Sequence, residues 1–194
     1  MESTLTKTQG LAAFKEWAVS CKALGEGKQV MIFRKGGIKE KGRVFKMEHP
    51  HFFLYPTYEH QDPYSIKPEF HGLLSDSLKE KPELGEVGIS YWAKVDEAFP
   101  LESMDPVLRQ APNHIYSEPS VRARWEWQPS KPLWLLLMRV YKLQSPQKLE
   151  VTEDYTGCKS WVDFTNMAAG ELDCSPVLSD AAYAEMAEKV RAFL

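Results

Sequence analysis

The stretch Leu133-Trp134-Leu135-Leu136-Leu137-Met138-Arg139-Val140-Tyr141-Lys142-Leu143 decides the fold class. Its first half is apolar without interruption, yet far too short to span a membrane. A strand with one wet face alternates apolar and polar residues, and this one does not. The run therefore predicts a strand covered on both faces, central in a sheet. Upstream, Val87, Ile89, Tyr91, Ala93 and Val95 alternate with Gly88, Ser90, Trp92 and Lys94, which predicts a second long strand over 87–99.

Working outward, Val30-Met31-Ile32-Phe33 and Phe52-Phe53-Leu54-Tyr55-Pro56-Thr57 predict two more strands, and residues 161–165 a short one. At the start of the chain, Leu11, Phe14, Trp17, Ala18, Cys21 and Leu24 recur every three or four residues. That spacing predicts an opening helix, stopped by Gly25 and Gly27. Tyr183, Met186, Ala187, Val190, Phe193 and Leu194 predict a closing amphipathic helix over 180–194. Residues 62–86 form a long polar connection with a short helix near 70–78. Residues 101–127 hold one or two short helices, with Ser117 as N-cap and Pro119 in the first turn. Residues 38–48 are highly charged and read as a hairpin arm or mobile loop.

Strands that are not regularly separated by helices argue against a doubly wound parallel sheet. The expectation is an α+β fold: a mixed, mostly antiparallel sheet with N-terminal and C-terminal helices packed on it, and closure into a small barrel as one form of it. No internal repeat, low-complexity tract or linker divides the chain. Residues 1–194 read as one globular domain.

Hydrophobic residues are 43% of the chain and aromatics 12%, enough for a full core. The net charge of −3 does not support wholesale coating by nucleic acid. A local basic patch exists nevertheless: Arg34, Lys35, Lys39, Lys41, Arg43 and Lys46, with Glu40 the only acid among them. Cys21, Cys158 and Cys174 are odd in number and widely spaced, so they form no disulfide framework and no metal knuckle. The start of the chain has neither a basic nor an apolar leader region, and the expectation is a cytoplasmic protein with no membrane partner.

Two polar blocks interrupt strand-like sequence. Arg34-Lys35-Gly36-Gly37 follows the first strand: cations that neutralise phosphate, then glycines that let a ligand approach the backbone. It is not a phosphate-binding loop of the Gly-x-x-x-x-Gly-Lys-Ser/Thr kind. Tyr58-Glu59-His60-Gln61 follows the second strand and offers a carboxylate, an imidazole and an amide for acid–base work or for reading a ligand. On a continuing strand Glu59 and Gln61 would share one face and His60 the other. A solvated turn is the plain alternative for both blocks. As candidate ligand-binding residues we take Arg34, Lys35, Gly36, Gly37, Glu59, His60, Gln61 and Lys159.

Other clusters are weaker. His49, His51, His60 and His71 lie close in sequence, but Pro50 divides the first pair and no third ligand is fixed, so no metal or other cofactor is expected. Cys158 beside Lys159 has no assignable histidine, which leaves a catalytic thiol unsupported. Among the tryptophans, Trp125 and Trp127 stand near Arg122, Arg124 and Lys131 and are the best candidates for exposed rings beside positive charge.

Three stretches resemble the bacterial family termed domain of unknown function 1802. They are Lys15-Glu16-Trp17-Ala18 with Arg34-Lys35-Gly36-Gly37-Ile38; 53–61 from Phe53 to Gln61; and Arg139-Val140-Tyr141 with Gly157-Cys158-Lys159-Ser160-Trp161-Val162. That resemblance implies no particular activity. A coarser one is to PUA-like barrels, the ASCH and EVE domains among them. It rests on the opening helix before a strand bearing a cation pair, on Gly85-Glu86-Val87-Gly88-Ile89 running into Trp92-Ala93-Lys94-Val95, and on the late apolar strand. It implies binding of RNA or a modified base in a cleft.

Three functions follow as expectations. The first is a nucleic-acid or nucleotide-binding module taking RNA, DNA or a nucleotide. The second is a phosphodiester hydrolase using Glu59 and His60, with or without a metal. The third is a protein-interaction or regulatory domain, including self-association as a homo-oligomer.

Overall fold

The computed structural model describes residues 12–35, 38–41, 44–47, 49–157, 159–164 and 173–194, with backbone alone for 38–41 and 44–47. Gly36, Gly37 and Cys158 lie outside the described residues. The fold is α+β. Its main sheet comprises β1 (Ala12–Trp17), β2 (Met31–Lys35), β5 (His51–Thr57), β6 (Glu86–Leu101), β7 (Leu133–Glu150), β8 (Trp161–Asp163) and β9 (Cys174–Pro176). The order is β2-β7-β6-β5-β1-β8, with β9 also paired to β7. β3 (Ile38–Lys41) and β4 (Val44–Met47) form a separate antiparallel hairpin at the end of β2, where the sequence predicts an arm.

The sheet is mixed and mostly antiparallel; β1 and β5 are its parallel pair among the described strands. The strand path is open between β2 and β8, so the barrel closure considered from sequence is not seen among the described residues.

β7 sits between β2 and β6, as its composition predicts. Leu133, Leu135 and Leu137 enter one core cluster, with Met31 and Phe33 of β2. Trp134, Leu136 and Met138 enter another, with Phe14, Ile32 and Phe52. Both faces of the strand are dry, which is why alternation is absent from its sequence. Among the described residues five α-helices pack around the sheet: α1 (Ala18–Gly25), α2 (His71–Lys79), α3 (Met104–Arg109), α4 (Glu118–Glu126) and α5 (Asp180–Arg191). The Ser117 hydroxyl caps α4 by accepting from the Ser120 N–H, and Pro119 lies in its first turn. Ala187 and Val190 of α5 enter the same core as the β7 leucines.

The opening helix needs correction. Residues 12–17 are strand β1, and helix begins only at Ala18. β1 lies between β5 and β8, with Ala13 and Phe14 in cores on opposite faces. Burial on both faces erases the two-residue alternation, and the remaining apolar positions happen to match a helical spacing. Pairing on both edges overrides that local pattern. Gly27 does stop α1: it is left-handed, its N–H bonds the Leu24 carbonyl, and the Lys28 N–H bonds the Ala23 carbonyl, a Schellman ending.

Candidate binding cleft

The ends of β1, β2 and β5 open onto one cleft of about 840 Å³. Arg34 and Lys35 reach it from β2, Glu59 and His60 from the turn after β5, and Lys159 from the segment leading into β8. The two polar blocks thus meet at one surface. Sequence spacing alone does not require this, because the hairpin β3–β4 intervenes.

Arg34 is a largely buried cation of the cleft. Its Nη2 donates to Ser160 Oγ at 2.7 Å, and Nη1 lies 3.7 Å from Glu16 Oε2. The guanidinium carbon stands 4.2 Å from the Phe14 ring centroid. Glu16 is buried, and its Oε1 accepts from the Trp17 N–H at 2.9 Å. Burial pushes the Arg34 pKa down, Glu16 counters it and Arg124 reinforces it. A guanidinium starts so high that it keeps its charge at neutral pH. Among the described residues Arg34 Nε and Glu16 Oε2 are buried without a hydrogen-bond partner, which leaves polar capacity unused beneath the cleft.

Other cations along the cleft serve the scaffold. Lys15 Nζ donates to the Tyr155 carbonyl and, at 3.1 Å, to that of Gly157. Arg124 Nη1 donates to the Phe33 carbonyl at 2.9 Å and stacks on Trp17 and Tyr116. Lys35 is 8% exposed, and its Nζ donates to the carbonyls of Trp125 and Gln128; burial lowers its pKa. Lys81 and Lys159 are exposed at the cleft lining, with Lys81 5.6 Å from the Tyr58 ring centroid. Glu59, Glu83 and Glu86 supply opposing charge.

The turn after β5 differs from an extended strand. His60 has φ of +61°, the left-handed region, so the face alternation expected from a strand does not apply. Glu59 and His60 are exposed and line the cleft. Gln61 does not line it: its side chain is buried, and Oε1 accepts from the Val19 N–H at 3.2 Å. Its amide ties the exit of β5 to the first turn of α1, one of the orphan donors every helix start presents.

Several cleft residues escape the sequence reading. Lys15, Trp17, Tyr55, Tyr155 and Ser160 all reach the cleft without having been candidates, while Trp127 and Arg124 carried the weaker signal of an aromatic beside basic residues. The clustered histidines separate. His71 Nε2 lies within hydrogen-bond distance of the carbonyls of Pro63 and Ile66, while His51 packs on Trp92 and His49 on Trp161. No group of three or more His, Cys, Asp and Glu is set to hold a metal among the described residues. No helix among them is long and apolar enough to cross a membrane.

A family model described as domain of unknown function (DUF1802) matches residues 13–189. No curated protein matches the chain. Among solved structures it is similar to the ASCH protein of Zymomonas mobilis, at 12% identity, with 94% of each chain covered and a TM-score of 0.44. A point variant of that protein is similar at 11% identity, covering 81% of this chain and 92% of the other, with a TM-score of 0.43. The chain belongs to the DUF1802 family.

Proposed function

We propose that this DUF1802 protein binds a phosphate-bearing ligand, a nucleotide or single-stranded nucleic acid, in the cleft at the ends of β1, β2 and β5. The observation that carries the reading is Arg34: a semi-buried guanidinium, fixed by Ser160 and Glu16, that lines an open cleft and keeps an unpartnered buried Nε. Lys81 and Lys159 place mobile charge on the same surface, where they can follow a phosphate backbone. The near-neutral chain then needs no global basic character, because the cations are local.

The test is binding of a labelled single-stranded oligonucleotide by fluorescence anisotropy across a salt series. Affinity should fall with salt, with a logarithmic slope of about 0.7 per phosphate neutralised. No binding at low salt overturns the reading.

Glu59 and His60 on the same cleft support a second reading, phosphodiester hydrolysis with His60 or Glu59 as the base. Incubating phosphodiesters with the protein, with and without divalent metal ions, decides it. Turnover that Glu59→Gln and His60→Ala abolish supports hydrolysis, and no turnover under any condition rejects it.

A further inference from the structure

We infer that Trp127 is a stacking platform for an unpaired base of the ligand, and that Lys35 is the positioning residue that holds it in the cleft. This rests on the phosphate-binding reading and deepens it from phosphate to nucleobase. Trp127 lines the cleft yet is 57% exposed. No ring or cation among the described residues packs on it. The neighbouring aromatics are engaged: Trp17 meets Tyr116 and Arg124, and Tyr55 meets Tyr155. An exposed indole on a cleft that also carries the exposed Lys81 and Lys159 matches what single-stranded nucleic acid requires, since every base offers a π-face.

The backbone around Trp127 is fixed. Its N–H donates to the Ala123 carbonyl at 3.0 Å, closing α4, and Gln128 then turns left-handed with φ of +48°. Lys35 Nζ bonds the carbonyls of Trp125 and Gln128, one on each side of Trp127. The Trp125 carbonyl is one that the end of α4 leaves without an intrahelical partner, and a cation suits it; the Gln128 carbonyl, just past the helix, also accepts from the Lys131 N–H at 2.9 Å. Lys35 therefore acts through the turn rather than on the ligand, while adjacent Arg34 faces the phosphate. One strand end sets both the charge and the ring, so little freedom is lost when a base stacks.

The experiment compares a single-stranded octauridylate with an abasic ribose-phosphate octamer, by competition anisotropy at low salt. The wild type should prefer octauridylate by about tenfold. Trp127→Ala should lose that preference, and Trp127→Phe should keep most of it. Lys35→Gln should reduce the preference while affinity for the abasic octamer holds. Equal binding of both octamers by the wild type, or an undiminished preference in Trp127→Ala, overturns the stacking role. Equal weakening of both octamers by Lys35→Gln makes Lys35 a phosphate contact and overturns its positioning role. If neither octamer binds the wild type, the phosphate-cleft reading itself falls.

Discussion

Arg34 and Glu16 form an ion pair at the base of the cleft, 3.7 Å apart, with 18% of the Arg34 side chain and 3% of the Glu16 side chain exposed. The pair joins the end of β2 to β1 across strands that do not hydrogen-bond each other. Removing one member of such a pair leaves a desolvated charge. Glu16→Leu should therefore destabilise the fold by about 3 kcal/mol. Combining it with Arg34→Met should recover most of that loss, because an apolar pair has no charge to strand. Urea unfolding of the single and double variants checks this; a single variant within about 0.5 kcal/mol of wild type contradicts it.

Gly27 is a glycine that resists exchange on two counts, conformation and space. It is left-handed at φ of +66°, and a Cβ there would lie 2.6 Å from Leu178 Cδ2. Gly27→Ala should cost about 1–2 kcal/mol, combining left-handed strain with displacement of Leu178. Gly85 is left-handed too, but nothing stands within 4 Å of its Cβ position, so Gly85→Ala should show the backbone cost alone. Thermal melts of the two variants separate the steric part from the conformational part.

His114 makes stability depend on pH. Burial, followed by Lys67 and Arg124, holds its pKa down to about 3, and its Nδ1 accepts from the Tyr116 N–H at 3.2 Å. The unfolded chain takes up this proton below about 6.5 and the folded one does not until about 3. Between those values the unfolded state binds more protons, so stability falls as pH falls. The slope is at most about 1.4 kcal/mol per pH unit. His114→Asn, which can still accept from Tyr116, should flatten this part of the profile in denaturation measured from pH 7 to 4.

Lys159 tests the charge in the cleft with little disturbance to the scaffold, since it is exposed and, among the described residues, its one polar contact is the Asp154 carbonyl at 3.5 Å. Lys159→Ala should lower the logarithmic salt slope for a single-stranded oligonucleotide by about 0.7 with no change in melting temperature. An unchanged slope removes Lys159 from the ligand contacts.

Glu59 separates binding from hydrolysis. On the proposed phosphate-binding function its carboxylate would oppose the ligand, so Glu59→Gln should tighten oligonucleotide binding a few-fold at low salt and less at high salt. Weaker binding would place Glu59 among groups that hydrogen-bond the ligand as acceptors.

β7 is legible because both faces are buried along a run long enough to exclude chance, and α5 because one face is wet. β1 is not: it is short, Lys15 and Glu16 interrupt its apolar run, and their carbonyl and guanidinium partners, on Tyr155 and Arg34, lie outside the local sequence. The polar blocks are visible as local interruptions, and Arg34, Lys35, Glu59, His60 and Lys159 do reach one cleft. Their division of labour is not visible. Whether Lys35 meets a ligand or a helix end, or Gln61 faces outward or bonds Val19, depends on where α4 and α1 terminate in space. Such tertiary partners leave no mark in local sequence.

The antiparallel pairing of β1 with β8 also sets when the cleft can come into being. Lys15 is 140 residues from its carbonyl acceptor Tyr155, and Arg34 is 126 from Ser160. During synthesis the first three-quarters of the chain can be translated with the cleft floor still lacking one wall. Contacts of such sequence separation form slowly. On the proposed function, any ligand would meet an incomplete cleft until β8 has emerged and docked, and a chain cut short before Ser160 should lose oligonucleotide binding.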